Sequence, residues 1–373
     1  MNFIHFGCWN NGNCNVENPE TNLSQVMKKL TEFKVSNRID FAVIAGDNYY
    51  AAKDKAAKAD KVKEDKSKAD KPKADKEDKP KEDKVKKEKV KIFNGENFIS
   101  GVNCLKNSLP GINKYILLGN HEYDKVTGLE GDDNKCNLMK LQQRTFTSTD
   151  NFNFFTDVMT KQSTNTLIIM IDTTLYEYHN EMDKYCNEVF PSITNRTYEN
   201  LTKHQEDIIT GILTGNLDKK NIVIIGHHPI VTLKAKDDKI KIEALEGLVN
   251  LFKNISRLLK DKNIYYLCAD NHLQQKGIIN IDELIINQYV SGTGGAELDK
   301  CINPTETNRF EIGDVSYDMQ ECKSTNGFYY VKENRDNLEF NFQEVAVPEQ
   351  KGGYRQKYLK YKQKYLSLKK NLI

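Results

Sequence analysis

The sequence has no long apolar run, no paired-cysteine motif and little net charge. No stretch of its 373 residues approaches the roughly 20 apolar residues that a membrane-spanning helix needs, so no membrane span is expected. The chain opens directly on a strand-like segment that begins at Met1, without the basic and apolar regions of a signal peptide. We therefore expect an intracellular protein.

Cysteine usage fits the same expectation. The eight cysteines are scattered along the chain and form no CxxC pair. Such spacing does not indicate a small disulfide-stapled scaffold. We predict a reduced chain whose thiols are free.

Lysine is concentrated in one segment. Residues 53–91 contain 17 Lys and 11 Asp or Glu, a local net charge of +6, whereas the whole chain carries +2. The rest is therefore mildly acidic, at −4, which argues against nucleic acid as a partner. No apolar residue in the segment is larger than Val, so it cannot bury enough surface to offset its ordering entropy. We predict a low-complexity, disordered insertion at 51–92.

Apolar runs and helical periods alternate through most of the chain. Helical spacing occurs at Leu23, Val26, Met27, Leu30 and Phe33, and again between Leu245 and Leu259. The strand-like runs are 3–6, 39–45, 115–118, 167–171, 222–225, 264–268, 285–290, 328–331 and 338–342. The pattern predicts one α/β domain at 1–345, with its sheets between helices.

Four of these runs end in polar side chains that suit metal ions. Asp47 follows the second run, Asn120 and His121 the third, His227 and His228 the fifth, and Asp270 and His272 the sixth. Strand ends of an open α/β sheet gather a site from distant parts of a chain. Carboxylate, amide oxygen and imidazole are usual ligands of hard and borderline cations. The sequence therefore predicts a metal-dependent hydrolase.

The motifs resemble those of the metallophosphoesterase superfamily, and most of all its purple acid phosphatase branch. Gly46-Asp47-Asn48-Tyr49-Tyr50 is similar to GDNFY, and Gly119-Asn120-His121-Glu122-Tyr123 is similar to GNHDY. Gly226-His227-His228-Pro229 resembles GHYP, and Ser291-Gly292-Thr293-Gly294-Gly295 resembles the SGAGN turn. The resemblance implies a four-layer α-β-β-α sandwich and hydrolysis of a phosphate ester, most plainly a monoester.

The resemblance also implies roles for individual residues. Two divalent or mixed-valence ions of Fe, Mn or Zn would be bound, with Asp47 bridging them. Tyr50 and His272 would serve one ion, Asn120 and His227 the other. His121 would be the general acid for the leaving alkoxide, and His228 and Asn10 would contact the substrate. Two cations suit the reaction because they neutralise charge on the phosphoryl group and acidify a water.

Two positions depart from the family pattern. Cys8 stands where the branch has a ligating aspartate, in Gly7-Cys8-Trp9-Asn10, and Asp270 stands where GHDH has its first histidine. Thiolate and carboxylate both bind Zn, so an altered two-metal site is feasible. The alternative is a catalytically silent pseudophosphatase that acts as a binding or virion-associated protein. A phosphodiesterase or nuclease of the same superfamily is a third hypothesis.

The C-terminal segment 346–373 reads as a linker and a basic amphipathic helix. Its seam is Tyr354, Tyr358, Tyr361, Tyr365 and Leu368, and lysines and one arginine cover the rest. An unknown protein, an anionic surface or the helix's own domain would cover the seam. The segment resembles extensions on giant DNA virus proteins, which implies host cytoplasm or the virion as a location.

Overall fold

The protein is represented by a computed structural model that describes residues 1–53, 91–124, 126–127, 129, 136–155, 157–178, 186, 197–236, 239–302 and 308–345. Most of the predicted insertion and the whole predicted tail helix lie outside these residues. No helix within the described ranges is long and apolar enough to span a membrane.

The described ranges contain six helices, one 3-10 turn and 19 strands. The helices are α1 (Asn22–Ser36), α2 (Gly95–Ser108), α3 (Asn137–Thr147), α4 (Thr174–Glu177), α5 (Tyr198–Thr214) and α6 (Glu246–Leu259), with a 3-10 turn at Asn120–Tyr123. The strands are β1 (Asn2–Phe6), β2 (Phe41–Ile44), β3 (Ala52–Lys53), β4 (Lys91–Ile92), β5 (Asn113–Ile116), β6 (Val126–Thr127), β7 (Phe152–Phe154), β8 (Met159–Gln162), β9 (Thr166–Met170), β10 (Asn221–Ile225), β11 (Val231–Lys236), β12 (Lys239–Ala244), β13 (Asn263–Cys268), β14 (Gln274–Ile281), β15 (Leu284–Ser291), β16 (Arg309–Ile312), β17 (Val315–Lys323), β18 (Gly327–Asn334) and β19 (Asn337–Glu344). All nine predicted strands are confirmed, with bounds shifted by a few residues.

Two large mixed sheets carry the fold. The first has the order β19-β18-β1-β2-β5-β7, and the second has the order β16-β17-β14-β15-β13-β10-β9-β8. The central pairs β1/β2 and β2/β5 are parallel, as are β9/β10 and β10/β13. The carboxyl ends of these central strands therefore lie on one edge of each sheet.

Alternate side chains of the second sheet face different layers. In β9, Ile168 and Met170 belong to the core shared with the first sheet. Leu167 and Ile169 belong to a second core that α5 and α6 complete. This period of two fits a strand that is buried on both faces.

The first sheet is likewise covered by helices on its outer face. Leu23 of α1 and Phe98 of α2 are buried in its core. Phe33 of α1 makes an edge contact with Phe328 of β18, with 5.5 Å between ring centroids. The layers are thus helix, sheet, sheet and helix, which confirms the predicted four-layer sandwich.

Both predicted helical periods are confirmed. Helix α1 buries Leu23, Val26, Met27 and Leu30, and the Thr21 hydroxyl caps it by accepting the Ser24 N–H at 3.1 Å. Helix α6 buries the apolar stripe predicted between Leu245 and Leu259. The spacing of apolar residues was sufficient to predict these two helices because each buries one continuous face.

The prediction of free thiols is wrong for six of the eight cysteines. Disulfides join Cys14 to Cys104, Cys136 to Cys186 and Cys301 to Cys322. Cys8 and Cys268 are free and buried. The partners are 90, 50 and 21 residues apart, so sequence spacing gave no sign of the pairing. Disulfides persist mainly in oxidising environments. Cysteine usage therefore no longer supports the expectation of an intracellular location.

Candidate metal centre

The strand ends of both sheets converge on Asp47. Its carboxylate is 2% exposed and follows β2. Around it lie Cys8 after β1, Asn120 after β5, His227 after β10 and, after β13, Asp270 and His272. The structure therefore brings together candidate ligands that lie between Cys8 and His272 in the sequence.

Three of these residues have an unusual backbone. Cys8, Asp47 and Asp270 have φ angles of 53°, 53° and 52°, in the left-handed region. This conformation costs a non-glycine residue roughly 1–2 kcal/mol. Strain of this kind clusters at functional sites, where the surrounding structure enforces a side-chain direction. Here Cys8 and Asp47 offer ligand atoms to one group and Asp270 to a neighbouring group.

Two glycines allow the loops to approach closely. A Cβ on Gly119 would lie 2.5 Å from Asp47 Oδ1 and 2.8 Å from His227 Cε1. A Cβ on Gly46, whose φ is +78°, would lie 2.6 Å from the Gly119 nitrogen. The β2 and β5 loops therefore need glycine to reach the same centre.

The first ligand group comprises Cys8, Asp47 and His272. One ligand atom from each lies within 4.8 Å of the others. The Tyr50 hydroxyl donates to Asp47 Oδ2 at 2.9 Å and lies 3.0 Å from His272 Nε2. His272 Nδ1 lies 2.7 Å from the Glu297 carbonyl, which fixes the proton on Nδ1 and directs the Nε2 lone pair into the group.

Burial sets the protonation of this group. It raises the pKa of Cys8, and the Asp47 charge raises it further. The same two causes raise the pKa of Tyr50. Both side chains are therefore neutral in the bare protein, and a cation would favour their anionic, ligating forms.

The second ligand group lies on the other side of Asp47. His227 Nε2 is 3.3 Å from Asp47 Oδ1 and 3.9 Å from Asp270 Oδ1. Burial raises the pKa of Asp47, but the positive charges that His227 and His121 carry when protonated outweigh it, so the pKa is lowered. Burial also raises the pKa of Asp270, and the charges of protonated His228 and His227 outweigh it in the same way. Both carboxylates are therefore ionised.

Three buried side-chain atoms near this centre have no hydrogen-bond partner among the described residues. They are Asn120 Oδ1, His227 Nε2 and His228 Nε2. His227 Nδ1 is 2.6 Å from the Ala45 carbonyl, which can only accept, so the proton of the neutral ring is on Nδ1 and its Nε2 carries a lone pair. Lone pairs beside carboxylates repel unless a cation lies between them. The donor set therefore fits a bound metal ion.

His121 flanks this centre. Its backbone N–H donates to Asp47 Oδ1 at 3.1 Å, and its Nδ1 is 2.6 Å from Asp124 Oδ2. Its Nε2 is 3.9 Å from Asp47 Oδ2. The Asp124 carboxylate orients the ring so that Nε2 faces the centre, which is the arrangement of a general acid or base.

The two predicted substrate contacts differ in their surroundings. His228 offers a ligand atom to the second group, together with His227 and Asp270, and its Nε2 is 3.0 Å from Glu177 Oε2. The Asn10 amide donates to the Phe98 carbonyl at 3.1 Å, so its side chain packs against α2. A substrate contact for Asn10 stays a prediction.

Sequence reasoning missed the residues that hold the ligands in place. Glu122 is buried, and its carboxylate accepts N–H groups from Asp47 at 2.9 Å, Asn48 at 2.8 Å and Gly119 at 2.6 Å. Thr173, Glu177 and Asp124 orient the histidines. The sequence signal for Glu122 was its place in the motif Gly119-Asn120-His121-Glu122-Tyr123.

Comparisons with known proteins show which solved structures share this fold. No protein-family model and no curated protein sequence matches the chain. GAP50, the anchor in the inner membrane complex of Plasmodium, is 12% identical, with 94% of this chain and 86% of GAP50 covered and a TM-score of 0.53. The purple acid phosphatase PPD1 from yellow lupin (Lupinus luteus) is 11% identical, with 93% of this chain covered and a TM-score of 0.54.

This chain spans only 52% of the lupin enzyme. A structure of PhoD is 11% identical, with 95% of this chain and 73% of PhoD covered, and its TM-score of 0.47 is too low to add weight. Identities this low show a shared fold and not a shared activity. The chain therefore has a metallophosphoesterase-type fold.

Proposed function

We propose that this protein is a metal-dependent phosphoesterase that hydrolyses phosphate monoesters. One observation carries the proposal: Asn120 Oδ1 and His227 Nε2 are buried acceptors without a donor, and both belong to the strand-end centre around Asp47. A cation satisfies such acceptors, and two bound cations would neutralise phosphoryl charge and acidify a water.

The residues would divide over two ions. Asp47, which lies between the groups, would serve both. Cys8, Tyr50 and His272 would hold one ion, and Asn120, His227 and Asp270 would hold the other. Fe, Mn and Zn all accept these donor types, and the thiol of Cys8 favours Zn or Fe on its side.

His121 acts as the general acid. Asp124 accepts the Nδ1 proton, so Nε2 is the nitrogen that faces the centre. A protonated Nε2 would deliver its proton to the leaving alkoxide.

Metal content tests this function directly. Protein purified without chelators should contain about two ions per chain by mass spectrometry, and Asp47→Asn should lose them together with phosphomonoester hydrolysis. The far-ultraviolet circular dichroism of the variant checks that it remains folded. Hydrolysis that survives in a metal-free Asp47→Asn protein contradicts the proposal, and faster cleavage of a diester would favour the diesterase alternative.

A second candidate function is a catalytically silent binding protein. The fold match with GAP50, an anchor in a membrane complex, supports it, as do the substituted ligands Cys8 and Asp270. In this case the basic segment 346–373 is the binding surface, and a protein or an anionic surface is its partner. Deletion of 352–373 should then abolish partner capture, whereas Asp47→Asn should leave capture intact.

A further inference from the structure

The adjacent residues His227 and His228 both point toward the second ligand group. With Asp270, each offers a ligand atom within 4.8 Å of the others. Proximity alone would make both histidines ligands. Their hydrogen-bond partners, however, place the ring protons on opposite nitrogens.

Thr173 determines the tautomer of His228. Its hydroxyl oxygen accepts the backbone N–H of His227 at 3.0 Å and of His228 at 2.9 Å. A hydroxyl has two lone pairs and one hydrogen, so both acceptor positions are used. The hydrogen must therefore point to the third neighbour, His228 Nδ1, at 3.0 Å. His228 Nδ1 is consequently an unprotonated acceptor.

The proton of neutral His228 is then on Nε2. This atom is 3.0 Å from Glu177 Oε2 but forms no hydrogen bond with it, so the N–H is a buried donor that faces a carboxylate without being satisfied by it. Metal ligation needs an available lone pair, and the one lone pair of the ring is engaged by Thr173. His227 is the reverse case, because its Nδ1 proton goes to the Ala45 carbonyl and its Nε2 lone pair is unpaired.

Glu177 is the exposed member of this set. Its side chain is 37% exposed at the end of the four-residue helix α4, whereas that of His228 is 6% exposed. The carboxylate can therefore turn toward solvent while the buried imidazole stays in place. Turning removes a negative charge from beside the His228 Nε2–H donor.

We propose that His228 lies outside the metal ligand set and binds the phosphoryl group of the substrate through Nε2–H, which faces the Glu177 carboxylate in the free protein. Thr173 is the positioning residue that fixes the tautomer. The inference rests on the proposed function, since it assumes that an anion binds beside the metal ions. It deepens that function, because the anion must displace a carboxylate from a fixed donor.

The tautomers can be observed without activity or metal. The experiment is a long-range ¹H–¹⁵N correlation spectrum of the chelator-treated, ¹⁵N-histidine-labelled full chain, with signals assigned by His227→Gln and His228→Gln. We expect the proton on Nε2 of His228 and on Nδ1 of His227. Thr173→Ser should preserve the His228 pattern and Thr173→Val should change it. A proton on Nδ1 of wild-type His228 overturns the proposal.

Zinc titration distinguishes a metal ligand, the role proposed for His227, from a hydrogen-bond donor, the role proposed for His228. His227→Gln should lose one of the ions bound by the wild type, whereas His228→Gln should retain the wild-type stoichiometry. Loss of an ion in His228→Gln overturns the proposal. The proposed function fails by a different result, namely a wild-type protein that binds no metal.

The affinity of the zinc-loaded protein for inorganic phosphate tests whether phosphate takes the place of Glu177 beside His228 Nε2. A hydrogen bond to a charged group implies that His228→Phe weakens phosphate binding roughly tenfold. Glu177→Gln should instead tighten it by about three- to tenfold, because a competing and repelling carboxylate is removed. If His228 and Glu177 only stabilised the structure, both substitutions would weaken phosphate binding. Weakening by Glu177→Gln, or no phosphate binding by the wild type, overturns the donor role.

Discussion

The Glu122 carboxylate accepts the backbone N–H of Asp47 at 2.9 Å, across 75 positions of sequence. The same oxygen also accepts the Gly119 N–H at 2.6 Å, and the other oxygen accepts the Asn48 N–H at 2.8 Å. One buried side chain thus ties the β2 loop to the β5 loop, and with them Asp47 to Asn120. The positions of the proposed metal ligands therefore depend on a residue outside the proposed ligand set.

Glu122→Gln should therefore impair metal binding. All the groups around the carboxylate are donors, so the amide NH₂ of glutamine would face an N–H that then has no acceptor. Loss of such a supporting residue typically lowers metal affinity by about 10- to 100-fold. Competition with a zinc indicator dye measures the change. Exposed Glu17→Gln is the matched control, and equal affinities in both variants would contradict the role of Glu122.

Cys8→Asp should restore a carboxylate ligand to the first group. Aspartate tolerates the left-handed backbone at this position, where φ is 53°. We expect metal affinity to rise by about tenfold or more, since a ligand suited to more metals replaces a thiol with a raised pKa. Cys8→Ser should lower affinity.

The matched control for Cys8 is Cys268→Ser, which changes the other buried free cysteine and lies outside the ligand group. The same competition assay measures all three variants. Unchanged affinity in both Cys8 variants would show that this side chain does not bind metal.

Fold stability should fall as the pH drops from about 6.5 to 4 because of His5. Burial lowers its pKa to about 4, against a hydrogen bond to the Cys268 carbonyl that raises it. The unfolded chain binds the proton below about pH 6.5 and the folded chain only below about pH 4, so the contribution is complete above 6.5 and lost by pH 4. The expected loss is about 3 kcal/mol in the free energy of unfolding.

Urea denaturation of the wild type and His5→Gln at pH 7, 5 and 4 measures this effect. Glutamine keeps a donor for the Cys268 carbonyl but does not titrate. The wild type should lose about 3 kcal/mol more than the variant over this range. Parallel pH profiles of the two proteins would assign the acid sensitivity to other groups.

The disulfides should contribute to stability in the order of their loop lengths. In the chain-entropy treatment, Cys14–Cys104 contributes about 4–5 kcal/mol and Cys301–Cys322 about 3 kcal/mol, because the first closes the longer loop. Double serine variants and thermal denaturation measure the two terms. Thiol titration of the unreduced, denatured protein should find two free cysteines, and eight would disprove the pairing.

The sequence by itself determined the strands, the helix faces and the places of the candidate ligands at the strand ends. A strand that is buried on both faces needs a short apolar run, so the run Ile39–Ala45 predicted a strand. Asp47 follows this run after Gly46. The period of α1 was readable because burial of one helix face imposes a spacing of three and four residues.

Tertiary structure decided what surrounds those ligands. Glu122 accepts from Asp47 across 75 positions, Thr173 contacts His228 across 55, and Cys14 reaches Cys104 across 90. Local spacing carries no information about contacts of this range, since chain crossings and sheet register bring the partners together. The roles of two adjacent histidines were decided by hydrogen-bond partners from distant segments, Ala45 for His227 and Thr173 for His228.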